Sequence, residues 1–286
     1  MQVRRSAARR PQPLNHAMAR HALAFGMFEC APGEPAPRQA QGGRLRARRL
    51  QRAGSAASGG LLLLALCSAE PQWARAQTPA TVERRCDGAD VRVQATDLED
   101  VATACEGARQ ALAFLARYGL ASDHVIEVEL LAQLPAGLRE SAVGCYNRQT
   151  HRMAVLTYAE FVKRGNWFGL PIDRALYRSV VAHEVAHAVV GCQPGAAKLP
   201  LPAHEYMANV AMFGTMEPPM RERVLANFPG AGFEHDAQIN SLVYGFDPMR
   251  FGASAWQHFS RLADGQAYMR RILAGQALRD EVTLAD

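Results

Sequence analysis

The 286-residue chain has no apolar run long enough to span a membrane permanently. Its leucine-rich stretch, Leu61-Leu62-Leu63-Leu64-Ala65-Leu66-Cys67, is short, and a spanning helix takes roughly 20 residues. No Cys-x-x-Cys pair occurs among the six cysteines, so the usual ligand spacing of a structural zinc site is missing. No internal repeat is present, which excludes solenoid and propeller arrays, and no inter-domain linker follows residue 80. A basic excess is also absent where it would matter. Residues 77–286 carry 20 Lys and Arg against 24 Asp and Glu, a net charge of −4. The positive balance of the whole chain comes from residues 1–76, with 12 Arg against 3 acidic residues. The main body therefore gives no warrant for nucleic acid as a partner.

What the first 76 residues do contain is the anatomy of a signal peptide. A basic stretch from Arg44 to Arg52 precedes the leucine-rich core, and Ala74-Arg75-Ala76 is a small-x-small cleavage site. Residues 1–76 are thus expected to be a leader that is removed or disordered, and residues 77–286 a single domain that is periplasmic or secreted. Export would place Cys86, Cys105, Cys145 and Cys192 in an oxidising compartment. Four cysteines allow three pairings; the expected one is Cys86–Cys105 with Cys145–Cys192.

The most specific chemical statement is His183-Glu184-Val185-Ala186-His187. Residues four apart share one face of a helix, so both imidazoles can reach one metal ion, with the Glu184 carboxylate beside it as a general base for water. The flanks support a helix: LYRSVVAHEVAHAVV from Leu176 to Val190 is largely apolar, Pro171 and Asp173 offer a start, and Gly191 a stop. A helix so apolar is buried, and its two histidines and glutamate need partners there.

Catalytic zinc usually takes three protein ligands and a water. A third histidine six residues after His187 is excluded, because position 193 is Gln193. The alternative is an acid on the next helix. After the proline-rich turn Lys198-Leu199-Pro200-Leu201-Pro202 comes Ala203-His204-Glu205-Tyr206-Met207-Ala208-Asn209. Glu205 is preferred as ligand because Asn209, one turn on, shares its face and could hydrogen-bond a ligand imidazole. His204 is the competing ligand. Oxyanion stabilisation would need a further donor; Tyr244 is the first candidate, ahead of His235, His258 and Tyr206.

Around the motif the pattern is α+β with a short mixed sheet. Val91-Arg92-Val93 reads as a strand. Asp97 to Tyr118 reads as a helix, with Asp97 as N-cap, Val101, Ala104, Ala108, Leu112 and Leu115 at helical spacing, and Gly119 at its end. His124 to Leu134 alternates as a half-buried strand. Val143–Tyr146 and Arg152–Thr157 form a hairpin about Asn147-Arg148-Gln149-Thr150. Helices are predicted near Met220–Asn227, Asp236–Tyr244, Pro248–Leu262 and Gln266–Ala274. Trp167 and Phe168 are candidates for a pocket wall, or for the anchor of a surface loop.

On His183, Glu184, His187 and Glu205 the chain resembles the gluzincin branch of zinc metallopeptidases, the thermolysin-like group in its minimal form, or an uncharacterised proteobacterial family with the same motif. The resemblance runs over roughly residues 97–215 in element order, and Asn209 stands where an acidic residue is common. It implies a small zincin-like domain with a helical C-terminal part, Zn2+ as cofactor, a peptide or protein substrate, and a strand at Arg152–Thr157 aligning that substrate along an open sheet edge. Two other readings follow from the same residues. One is a zincin-fold binding or scaffolding protein of the periplasm with weak or no turnover. The other is a zinc hydrolase of non-peptide amides or esters.

Overall fold

The computed structural model describes residues 81–138, 142–147 and 149–280, so the leader and its signal anatomy lie outside the described residues. The described part is α+β. A five-stranded mixed sheet runs in the order β1-β2-β3-β5-β4, formed by β1 (Val82–Arg85), β2 (Val91–Ala95), β3 (Ile126–Leu131), β4 (Gly144–Asn147) and β5 (Arg152–Leu156). The three inner strands are parallel, and β1 and β4 are antiparallel edges. Strand β3 shows the expected alternation, burying Ile126, Val128 and Leu130 while Glu127, Glu129 and Leu131 are half-exposed.

Helix α1 (Leu98–Ala116) is capped as its sequence predicts: the Asp97 carboxylate accepts the Glu99 and Asp100 backbone N–H groups. Its apolar stripe, Val101, Ala104, Ala108 and Leu115, is fully buried, and Gly119 leaves the helix with φ of 77°. The stripe packs on α3 (Arg174–Gly191). The crossing is close at Gly107, where a Cβ would lie 2.6 Å from the Arg178 carbonyl oxygen and 3.2 Å from the Val181 Cβ. Helix α3 also packs on β4 and β5, and its other flank on α4 (Leu201–Thr215). The motif helix is thus enclosed by sheet and helices, and every residue from Ser179 to Val190 is buried.

The N-terminus of α3 is pinned by charge. Asp100, buried on α1, accepts from the Arg174 guanidinium and from the Tyr158 backbone N–H at 3.0 Å. Arg174 also lies over the Tyr158 ring, 4.0 Å from its centroid. Tyr158 opens a short helix α2 (Tyr158–Val162), so one buried carboxylate fastens three helices together. A two-stranded hairpin, β6 (Asn166–Trp167) and β7 (Leu170–Pro171), follows.

Three expectations are corrected. Arg152–Leu156 is an inner strand, bonded to β3 on one side and β4 on the other, so its main chain offers no open edge to a peptide. The parallel β3–β5 pairing joins residues about 25 apart, which local pattern does not register. Trp167 and Phe168 wall no surface pocket; both are core residues, 2 % and 1 % exposed, with Phe168 edge-on to Phe213 and Phe228, and they anchor a hairpin whose Gly165, Asn166 and Gly169 are exposed. Of the cysteines, Cys86–Cys105 forms as expected. Cys145 is disulfide-bonded, but Cys192 is a free thiol 3.6 Å from His151 Nδ1. Spacing along a chain carries no distance between far-separated cysteines.

The C-terminal part is helical: α5 (Pro218–Ala226), α6 (Ser241–Phe246), α7 (Pro248–Phe259) and α8 (Gly265–Leu273). The helix predicted over Asp236–Tyr244 is divided. A 3-10 turn occupies Asp236–Gln238, and the Asn240 side chain then caps α6 by accepting the Val243 N–H. Among the described residues no helix is long and apolar enough to cross a membrane.

Candidate metal centre

Asp173 starts α3 by accepting the Leu176 N–H, and ten residues later the helix presents His183. One turn on, His187 lies on the same face, with the two rings edge to face at 4.6 Å. Helix α4 runs against that face and brings Glu205 to both rings. The separations are 3.0 Å between the two Nε2 atoms, and 3.6 Å from each Nε2 to a Glu205 carboxylate oxygen. One ligand atom from each of the three residues lies within 4.8 Å of the others.

These spacings suit a metal ion. At 3.6 Å a nitrogen–oxygen pair is too long for a hydrogen bond. Tetrahedral ligands about 2.0–2.1 Å from an ion are about 3.3–3.4 Å apart, between the observed values. Two imidazoles and a carboxylate converge here with 3 %, 1 % and 0 % exposure, where a cation would offset the cost of burying the acid. The residues present therefore fit a metal ion held by His183, His187 and Glu205.

Glu184 is buried beside this group, 5 % exposed. Burial drives its carboxyl pKa up from an ordinary 4.5 to about 7; the His183 ring opposes the rise and Glu205 adds to it. For His183, burial disfavours the charged ring, but the Glu205 and Glu184 carboxylates outweigh it and its pKa sits above the ordinary value.

A pH dependence follows for protein stripped of metal. Folded Glu184 binds its proton more tightly than the unfolded chain does, so its contribution to stability is complete below about pH 4.5. It falls as pH rises toward 7, by a total on the order of 3 kcal/mol. Glu184→Gln carries a neutral isostere and should lose that dependence. Urea unfolding of chelator-treated wild type and Glu184→Gln at pH 5 and pH 8 measures it: the variant should gain on wild type between the two pH values. An equal difference at both would contradict the raised pKa.

His204, the competing ligand, is buried but directed elsewhere, its Nε2 3.2 Å from the Ala196 carbonyl oxygen. Asn209 does not fill the role expected of it. Its amide donates to the Glu205 backbone carbonyl at 2.8 Å, and its Oδ1 lies where a side chain on Gly252 of α7 would be. An asparagine one turn after a ligand on a buried helix can satisfy itself on that helix. Tyr244 is buried on α6, its ring edge-on to Phe251 of α7. The other donor candidates are engaged away from the ligand group. Tyr206 and His258 are hydrogen-bonded to each other at 2.6 Å, and exposed His235 caps the Asp236 turn.

Residues 91–282 match DUF6639, a family of unknown function. The chain belongs to that family. The DUF6639 match takes in α1, the whole of α3 and α4, and hence every residue of the metal group. Comparison with curated proteins and with solved structures gives no match.

One residue of the site escaped sequence reasoning. Gly144, on β4, lies against the Glu184 carboxyl so closely that a Cβ there would be 2.5 Å from the Glu184 Cδ. The only sequence signal was a glycine inside a strand, which marks a close approach without saying to what.

Proposed function

We propose that this protein is an exported zinc metallopeptidase of the zincin type. The observation that carries the reading is the convergence of His183, His187 and Glu205 on one buried point, with Glu184 next to the first ligand in sequence. Two histidines one turn apart and an acid from the following helix are the ligand pattern of the gluzincins that the sequence resembles. Nitrogen and oxygen ligands of this kind suit zinc. The leader supports export, and peptide or protein is the substrate class proposed.

Zinc, when bound, supplies Lewis-acid chemistry, polarising the attacked carbonyl and making water more acidic. The protein's own contribution is held by few side chains. The imidazoles and Glu205 would hold the ion and so fix the reacting point. Glu184, next to the first ligand in sequence, takes a proton from the attacking water and passes it to the leaving amine. Tyr244 is proposed as the donor to the oxyanion.

The direct test incubates zinc-loaded protein with an unfolded protein substrate and follows fragments by mass spectrometry. Cleavage should stop on chelation and return when zinc is restored. Absence of cleavage at one zinc per chain would reject the peptidase reading. A second reading, a zinc-holding protein without turnover, is favoured by one observation: none of the four side chains exceeds 5 % exposure. That protein would bind zinc and melt higher with it, but release no fragments. Ester or small-amide turnover without proteolysis would favour a non-peptide substrate.

A further inference from the structure

Gly144 stands at the start of β4, the sheet edge that packs against α3. Its backbone does not require glycine, since its φ lies outside the left-handed region. Space does. A Cβ at this position would lie 2.5 Å from Cδ, 2.7 Å from Cγ and 2.8 Å from Oε1 of Glu184. Carbon atoms in contact sit about 3.5–4.0 Å apart, so a methyl group and this carboxyl cannot share the slot.

Neither backbone is free to retreat. Gly144 is paired with Val155 of β5, and the Leu156 N–H donates to the Val143 carbonyl at 2.9 Å. Glu184 lies mid-way along α3, which is held by α1, α4 and the sheet. Any accommodation must therefore come from rotation of the Glu184 side chain. The three ligand residues are absent from the atoms that a Cβ at Gly144 would meet first.

We propose that Gly144 is a positioning residue for Glu184: its missing side chain leaves the slot in which the carboxyl lies, and the main chain of β4 sets where that carboxyl stands beside the ligand group. The proposal rests on the metallopeptidase reading for its effect on rate, though not for the contact itself. Substituting Gly144 should turn the base away while leaving the metal in place.

Gly144→Ala in the full-length, zinc-loaded protein tests this. Zinc content should stay at one per chain and KM within about twofold of wild type. Turnover should fall about a hundredfold, the low end of what a general base contributes. A shorter acid should refit the slot, so Gly144→Ala/Glu184→Asp should be more active than the product of the two single effects. Thermal melting reads the contact without any need for activity. Gly144→Ala should lower Tm beside Glu184, and lose most of that effect in a Glu184→Ala background, where the slot is vacated. Folding of the double variant alone would also support the shared slot. Equal Tm losses in both backgrounds, failure of both to fold, or unchanged kcat in an active zinc-loaded protein would overturn the proposal. If zinc-loaded wild type cleaves nothing, the peptidase reading fails, while the Tm coupling still decides whether residues 144 and 184 compete for one space.

Discussion

On the proposed zinc-peptidase reading, Glu184→Gln should keep zinc and lose turnover by roughly a hundred- to ten-thousand-fold. The substitution preserves shape, so the amide fits the same slot beside Gly144. It leaves the three ligand residues unaltered, and metal content should match wild type. What disappears is a group able both to accept a proton and to return it. Because the loss falls on the chemical step, kcat should carry it and KM should move little. Zinc measured by mass spectrometry on the same samples used for kinetics separates this outcome from loss of metal. Full activity in a zinc-replete Glu184→Gln protein would remove Glu184 from the mechanism.

How far the sequence disclosed this arrangement depends on how local each determinant is. The start of α3 was legible because Asp173 caps a turn only three residues long. The end was nearly so: Gly191 is the last helical residue and Cys192 the cap. The i, i+4 spacing of His183 and His187 brings them together by helix geometry alone. Glu205 needed one further step, since the turn between α3 and α4 had to fold the chain back upon itself. The proline-rich run around Pro200 made that readable.

Non-local contacts were not legible. Whether β5 or β4 forms the sheet edge is decided by which strand pairs with β3, and both candidates are short and largely buried. Phe168 illustrates a tertiary override. It takes φ of 50° in the β6–β7 turn, where bulky residues are disfavoured, and its ring is buried against Phe213 and Phe228. Turn chemistry alone would assign such a position to glycine or asparagine. Asn209 misled in a similar way. Its face on α4 was right, but the backbone carbonyl one turn back took its amide. Gly144 carried a mark in the sequence whose meaning appears only when α3 is laid against β4.

Glu205→Ala should weaken zinc binding by roughly a hundred- to a thousandfold, whereas His204→Ala should leave it nearly unchanged. The two residues are adjacent in sequence and equally buried, yet α4 sends them in different directions. Glu205 faces both imidazoles at 3.6 Å, while His204 reaches the Ala196 carbonyl at 3.2 Å. Zinc binding in small protein sites totals on the order of 10–16 kcal/mol across the ligands. Losing one ligand of three, in part replaced by water, therefore costs about 3–4 kcal/mol, which sets the expected fold-change. His204→Ala instead removes one buried hydrogen bond and should lower stability by about 1–2 kcal/mol with or without metal. Competition against a chromogenic chelator gives the zinc affinities, and melting with and without zinc gives the stabilities. Wild type should gain about 2.7 kcal/mol from free zinc at a hundred times its Kd. Glu205→Ala should gain little at that same concentration, and His204→Ala the full amount. The reverse pattern, zinc affinity kept by Glu205→Ala and lost by His204→Ala, would transfer the third ligand to the histidine and displace α4 from its present rotation about the site.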